Sequence, residues 1–508
     1  MTAAPQRKGL WVAGWVAFAA ITLWFSFHIH SRSAPFTYKS QIFADKAGYY
    51  IYLPATFVFG FDADAVPDSL SQKVGNGFLI TDQNKIYTKY PIGVSLMQSP
   101  FFLLAHGLLA PVTGQPADGF SPVYHTMVDI AAWAYMLLGM GMLFIVLRRR
   151  HSVGRTLGTL ALLLFGTNLA YYYSTESGMS HIYSFCVVSA LILLLDRIQA
   201  CHVDCPNKVG KRSSAATESK HLVHTETLPN DQSLSPICHV ERSSAAAESK
   251  HLAHSETPPA VQSQSPEIPT QQSPKLTPQQ ALALGSLCGL LIITRFTNVL
   301  LLSLVLAWGV QGLNDLWQRI RLILSPKTLP LLLLGPAILI GLQLAYYHYL
   351  TNSLFLYTYG DEGFDFLHPE LLKAWFSPNN GLFPHAPIVL FGLIGMGIMA
   401  ARREALGWYG LGLFALSTYI FSCWWQWYFG CAFGQRSYVE LYPILAFGLA
   451  RFLQWVSTRT PRPVQILTWS VLILLCLLVT NHMYHFKLCY IGQGDWDWGY
   501  WWGEVVRV

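Results

Sequence analysis

Charge is what this sequence has least of. Aspartate, glutamate, lysine and arginine make up 12% of its 508 residues against 52% hydrophobic, and the mean hydropathy is +0.34. A soluble domain carries about 25% charged residues, so the deficit argues against a soluble enzyme and for an integral membrane protein. Also missing is a small-residue cleavage site after the first apolar run, "LWVAGWVAFAAITLWFSFHI" (10–29). That run is long enough to cross a bilayer and is predicted to be a retained span, not a removed signal peptide. The nine cysteines form no even framework. Cys186, Cys288 and Cys476 sit in apolar runs, and Cys201 and Cys205 in a polar loop. Cys423, Cys431 and Cys489 fall where the chain faces outward, leaving room for one disulfide. The net charge of +6 resides in short loops, so no nucleic-acid partner is expected.

What is present is a series of apolar runs punctuated by arginine. Eleven spans are expected, at roughly 10–29, 124–147, 156–174, 180–198, 279–294, 297–313, 329–349, 387–401, 405–423, 440–456 and 464–482. The cationic clusters orient them. Arg7 and Lys8, "RRRHSVGR" (148–155), Arg319 with Arg321, Arg402 with Arg403, and Arg459 with Arg462 all fall on the cytoplasmic side of such a chain. The N-terminus is then cytoplasmic and the C-terminus outside, in a plasma (inner) membrane. The run 91–110 is read as a helix on the outer surface, because a span there would invert "RRRHSVGR". The fold class is thus an all-α, polytopic membrane helical bundle with two surface helices in a long first outer loop, 30–123. The organisation is an N-terminal membrane region 1–199, an insert 200–278 and a C-terminal membrane region 279–508.

The insert is polar and contains a repeat: "SSAATESKHLVHTET" (213–227) recurs as "SSAAAESKHLAHSET" (243–257). Neither copy has an apolar stripe able to build a core, so disorder is expected. Its four HxxH histidines, His221, His224, His251 and His254, arise by duplication and are not read as a metal site.

The chemistry is expected on the outer side. Asp45 follows the first span and precedes "AGYYIYLPATFVFGF", read as an amphipathic interfacial helix limited or kinked by Pro54. It is either a working carboxylate or a loop acid paired with Lys46. Lys89 stands before Pro91 at the start of the second surface helix, where an ammonium suits a phosphate or snorkels to the interface. Glu176 and His181 flank the start of a span, as an acid/base pair, a divalent-cation site or a hydrogen-bonded turn. Arg295 lies between two apolar runs and so faces a cavity and a partner, either a phosphate or a buried acid. Arg436, in "CAFGQRSYVELYP", is cationic on the outer side and contacts either a phosphate or Glu440. The loop "DEGFDFLHPELLKAWFSPNNGLFPHAP" (361–387) adds acids and His368. The tryptophan clusters "CWWQWYFG" and "GDWDWGYWWG" read as interfacial anchors.

This layout resembles the GT-C superfamily of polytopic glycosyltransferases, in the branch of protein O-mannosyltransferases and lipid A aminoarabinose transferases. "KYPIG" (89–93) resembles their Lys/His-Pro-Pro opening of the second surface helix, with Tyr90 in place of the first proline. "TRFTN" (294–298) is similar to an Arg-Pro-Thr-Asn motif of related membrane proteins, with Phe296 for proline, and "FGQRSYVELYP" is similar to a segment of bacterial relatives. The resemblance covers most of the chain outside 200–278 and implies an inverting transferase. The donor would be a polyprenyl-phosphate sugar, the reaction would occur on the outer face, and Asp45 would be the general base. Lys89, Arg295 and Arg436 would hold the donor phosphate, and Glu176 and His181 would orient the acceptor or a divalent cation. The acid–acid pair of some members is absent, since Lys46 follows Asp45. No soluble outer domain is present to recruit a folded acceptor, so a lipid-linked glycan or small acceptor is favoured over a protein. The alternative is a transporter or flippase of lipid-linked saccharide, which predicts paired midplane charges, broken helices and an inverted repeat.

Overall fold

The computed structural model describes residues 4–32, 34, 36–215, 276–486 and 494–507. It divides into a unit of Met1–Cys201 with Lys275–Val508 and a unit of His202–Pro274. Residues 216–275, with all but the start of the repeats, lie outside the described residues, as does Cys489. The first unit contains the membrane-length helices.

Its helices are α1 (Ala4–Ser31), α2 (Asp45–Tyr50), α3 (Tyr52–Phe57), α4 (Gly93–Leu104), α5 (Pro122–Arg148), α6 (Val153–Phe165), α7 (Leu169–Ser174) and α8 (Ser180–Ala215). After the insert come α9 (Pro278–Thr294), α10 (Ser303–Ala307), α11 (Leu329–Thr351), α12 (Ile388–Ala401), α13 (Ala405–Ser422), α14 (Tyr442–Arg459) and α15 (Arg462–His485), with shorter pieces between. The only sheet among the described residues is a hairpin pairing Leu79–Ile80 with Ile86–Tyr87. Eight helical stretches are long and apolar enough to cross a membrane, so this is a membrane-embedded helical protein. Seven lie on expected spans. The eighth, Gly93–Thr113, is the run expected to lie on the outer surface.

The other four expected spans are shorter helices, and two differ in kind from the expectation. The run 156–174 is not one helix, because Gly166, Thr167 and Asn168 interrupt it between α6 and α7. Thr167 turns its hydroxyl back to the Leu163 carbonyl, and Asn168 is bound on both sides, by Tyr442 and by the Phe433 carbonyl. The run 297–313 opens as a 3-10 helix, Phe296–Leu302, followed by α10 alone. A 3-10 helix rises about 2 Å per residue against about 1.5 Å for an α-helix. The tighter winding lets this short segment cover more depth than an α-helix of equal length.

Close approaches fix two helix pairs. A Cβ on Gly395 of α12 would sit 1.7 Å from the Gly448 carbonyl oxygen of α14, and one on Gly285 of α9 would sit 2.0 Å from the Leu332 carbonyl oxygen of α11. Small residues at such seams let helix backbones meet within a membrane. The start of α9 is set by a full capping box, Thr277 with Gln280, and by Pro278 in its first turn.

The segment after α1 is the third departure. It is two short helices, and Tyr49, Tyr50 and Tyr52 are 4%, 2% and 3% exposed. They are packed inside the protein, so this is not an interfacial helix with a lipid-facing stripe. Pro54 has no N–H to give the Tyr50 carbonyl, and α2 gives way to α3 at Ile51.

Candidate functional site

One cavity of about 800 Å³ is lined by all six candidate residues: Asp45, Lys89, Glu176, His181, Arg295 and Arg436. Each comes from a different element. Asp45 is the first residue of α2, Lys89 precedes α4, and Glu176 lies in the turn between α7 and α8. His181 opens α8, Arg295 caps α9, and Arg436 begins the 3-10 turn before α14.

Asp45 is held at a strained corner. Ala44 has φ +48°, a region disfavoured for a residue with a side chain. Its N–H donates to the Val74 carbonyl at 2.8 Å, and Gly77 fits beneath it only because it has no Cβ. Asp45 Oδ2 accepts from Arg436 Nη1 at 3.2 Å, and the Tyr90 hydroxyl bonds the same carboxylate. Burial pushes the Asp45 carboxyl upward. The Arg436 guanidinium, the Tyr90 hydroxyl and the Lys89 ammonium outweigh it, and the group stays below its ordinary 3.8.

Lys46 does not pair with Asp45. Its ammonium turns inward to Glu176 at 3.0 Å and to the Tyr38 carbonyl at 2.6 Å. Glu176 is raised above its ordinary 4.5, because burial outweighs the Lys46 ammonium beside it. Glu176 and His181 are therefore not partners of each other. His181 Nδ1 lies 2.9 Å from Glu440 and 3.2 Å from Arg295 Nη1. One ring nitrogen cannot both donate and accept, so the shorter contact is its N–H donated to Glu440. Arg295 then donates to Glu440 at 3.2 Å and to Ser437 Oγ at 2.8 Å. No three His, Cys, Asp or Glu side chains come together as a metal-ligand group among the described residues.

Arg436 thus pairs with Asp45, not with Glu440 in its own turn. Both Arg295 and Arg436 stack on Phe429, at 5.7 and 5.9 Å from its ring centre. Phe429 itself sits at φ +54°. Lys89 reaches Glu362 at 2.6 Å and lies over the Tyr359 ring. His368 is elsewhere, exposed and bonded to Asp365. Cys431 lines the cavity and is disulfide-bonded, whereas Cys423 is a free thiol. One part of the wall is apolar, with Phe296, Phe355, Leu356, Phe364 and Trp424 along it, Phe355 being 83% exposed, and Thr297, Thr358 and Gln426 add polar groups elsewhere.

Four residues that sequence reading passed over or misjudged matter here. Tyr90, treated as a departure from a motif, supplies the hydroxyl on Asp45. Lys46 anchors Glu176. Glu362, one acid in a mixed loop, holds Lys89. Asp129 lies inside an apolar span and accepts from Gln41 at 2.6 Å and Ser177 at 2.6 Å, with His30 at 3.0 Å. This buried network fixes the turn that carries Glu176. A lone acid in an apolar run was the available signal.

No family model, curated protein or solved structure matches the chain.

Proposed function

We propose that the chain is a membrane glycosyltransferase of the GT-C kind, moving a sugar from a polyprenyl-phosphate donor to an acceptor hydroxyl on the outer face of the cell-envelope membrane. The observation that supports this is one cavity holding a carboxylate, Asp45, among the cations of Arg436, Lys89 and Arg295, beside an apolar aromatic wall. A polyprenyl chain suits the wall and a phosphodiester suits the cations.

The step is a displacement at the anomeric carbon. The acceptor oxygen forms the new bond to that carbon as its proton passes to Asp45. The carbon–oxygen bond to phosphate breaks on the opposite face, and polyprenyl phosphate leaves with the electron pair. Inversion follows from this single displacement. Phosphate is already a good leaving group, so the protein's part is to position the two reactants and to meet the growing charge on phosphate.

In the resting site Arg436 is committed to Asp45. A donor phosphate competing for that guanidinium would loosen the pair and leave the carboxylate a stronger base. A lipid-linked glycan or small molecule is the acceptor class favoured, and the arginine bias of the loops supports the outer face as the side of reaction.

The test is reconstitution with radiolabelled polyprenyl-phosphate sugars and a lipid-acceptor extract. The expected product carries a new glycosidic bond of inverted anomeric configuration. Label that crosses the bilayer still attached to its original lipid would replace the transferase reading with a flippase.

A further inference from the structure

A second cavity lies at the other end of the bundle. Its lining includes Arg150, His151, Gln199, Trp308, Glu404 and Arg451, and its volume is about 350 Å³. Three long elements measure the distance. On α8, His181 lines the first cavity and Gln199 the second, 18 residues or about 27 Å apart. Helix α13 and the segment 436–459 likewise reach from one cavity to the other. That separation is close to the thickness of a bilayer's hydrocarbon core, about 30 Å. The second cavity therefore sits at the opposite interface.

Its chemistry is one-sided. Arg149 and Arg150 share one carboxylate, Asp196, at 2.7 Å each. Arg451 holds Glu404 through Nη2. An adjoining cavity of about 240 Å³ shares Arg451 and adds Arg402 and Arg459, neither of which makes an ion pair among the described residues. These five guanidiniums at one end of the bundle thus stand with two carboxylates, and on the cavity's own lining Arg150 and Arg451 stand with Glu404 alone.

The lining is also short of acceptors. Trp308 Nε1, His151 Nδ1 and Arg451 Nε are all buried without a hydrogen-bond partner among the described residues. Trp308 is 1% exposed and lies under the Arg150 guanidinium, 5.1 Å from its ring centre. A native protein leaves few buried donors unmet, and the Trp308 and Arg451 N–H groups on the lining of one cavity, with a His151 nitrogen that donates in one tautomer, point to a ligand with acceptor oxygens. Burial first, and then Arg155, Arg451 and Arg150, lower the His151 imidazole to about 4 and keep its ring neutral.

We propose that this cavity binds a phosphate group, carried by an anionic lipid head group or free in solution. Cationic pockets between helices on the arginine-rich side of a membrane are suited to phospholipid head groups. The volume is that of a small-ligand pocket, and Arg150 and Gln311 on its lining are exposed. The inference is independent of the transferase reading, since none of its residues lines the first cavity.

The test uses the full chain in nanodiscs. In one arm the disc contains phosphatidylglycerol with phosphatidylcholine, and native mass spectrometry counts the lipid retained. In the other the disc is phosphatidylcholine alone, and inorganic phosphate is titrated against the thermal melt. Trp308→Phe removes the N–H together with the pyrrole half of a buried indole, so its ligand-free melt is compared with wild type first, and at the same lipid or phosphate level binding is expected to weaken about 2- to 10-fold. Arg150→Gln should weaken it more than about tenfold. Arg462→Gln, at the same end but outside both cavities, should change nothing. Retention of phosphatidylglycerol that falls in the two cavity variants assigns a lipid head group. A phosphate-dependent melt with no selective lipid retention assigns a soluble phosphate. The proposal is overturned if neither arm responds, or if Arg462→Gln loses as much as Arg150→Gln.

Discussion

The two cavities meet their charges in opposite ways. At the Asp45 end each cation has a carboxylate of its own: Arg436 with Asp45, Lys46 with Glu176, Lys89 with Glu362 and Arg295 with Glu440. At the arginine end five guanidiniums have two carboxylates between them. A bare charge in a low-dielectric wall is costly, and a paired one much less so. Balanced pairs suit the proposed exchange of partners with an anionic substrate in the first cavity. An excess of cations makes the second a place of standing attraction for an anion. The first arrangement fits turnover, and the second fits a resident ligand.

Three experiments would break or sharpen that contrast. The largest effect is expected from removing a partner at the balanced end. Glu440→Gln leaves Arg295, whose side chain is 14% exposed, without its acid. Loss of one member of a buried pair costs about 3–5 kcal/mol, to be read as a fall in the melting temperature of the purified protein. The matching change at the arginine end, Glu404→Gln, strips Arg451 of an acid that is 33% exposed. It should cost about 1 kcal/mol or less. Equal losses would dissolve the distinction.

The second experiment is a pH profile of kcat/KM for transfer, which reports the free enzyme. Asp45 lies below its ordinary 3.8 and Glu176 above its ordinary 4.5. A lowered carboxyl contributes stability that is present above its unfolded value and lost as pH falls through the folded one. A raised carboxyl contributes stability present below its unfolded value and lost as pH rises through the folded one. With Asp45 as base, the acid limb should therefore lie below about pH 4 and the profile should be flat from about pH 5 to 8. A limb above about pH 4.5 would move the role to Glu176.

The smallest effect is expected from Lys89→Met. Its ammonium is 31% exposed and its partner Glu362 28% exposed. Stability should change by about 0.5 kcal/mol or less, while KM for the donor rises and kcat holds. A large drop in melting temperature would make Lys89 a structural residue.

How much of this was legible in the sequence depended on distance along the chain. The six cavity residues stood out because each is a charge or an imidazole beside an apolar run, where ionisable groups are expensive to place. Their partners did not. Asp45 and Arg436 are 391 residues apart, and Lys46 and Glu176 are 130 apart. The only protein partners a local reading could offer were Lys46 for Asp45 and Glu440 for Arg436, because only neighbours are visible in a string. Apolar runs located seven of the eight membrane-length helices among the described residues but could not tell a 3-10 segment at Phe296–Leu302 from an α-helix. Nor could they distinguish aromatic residues at an interface from the buried Tyr49, Tyr50 and Tyr52, since both settings use the same residue types.

The central claim is that the first cavity transfers a sugar with Asp45 as its base. It is tested most directly by comparing wild type with Asp45→Asn for label transfer from a polyprenyl-phosphate sugar, alongside a thermal melt of each. Loss of a general base lowers the rate about 10²- to 10⁴-fold, so transfer should all but vanish in Asp45→Asn while the melt stays cooperative. Equal transfer by both proteins would contradict the account.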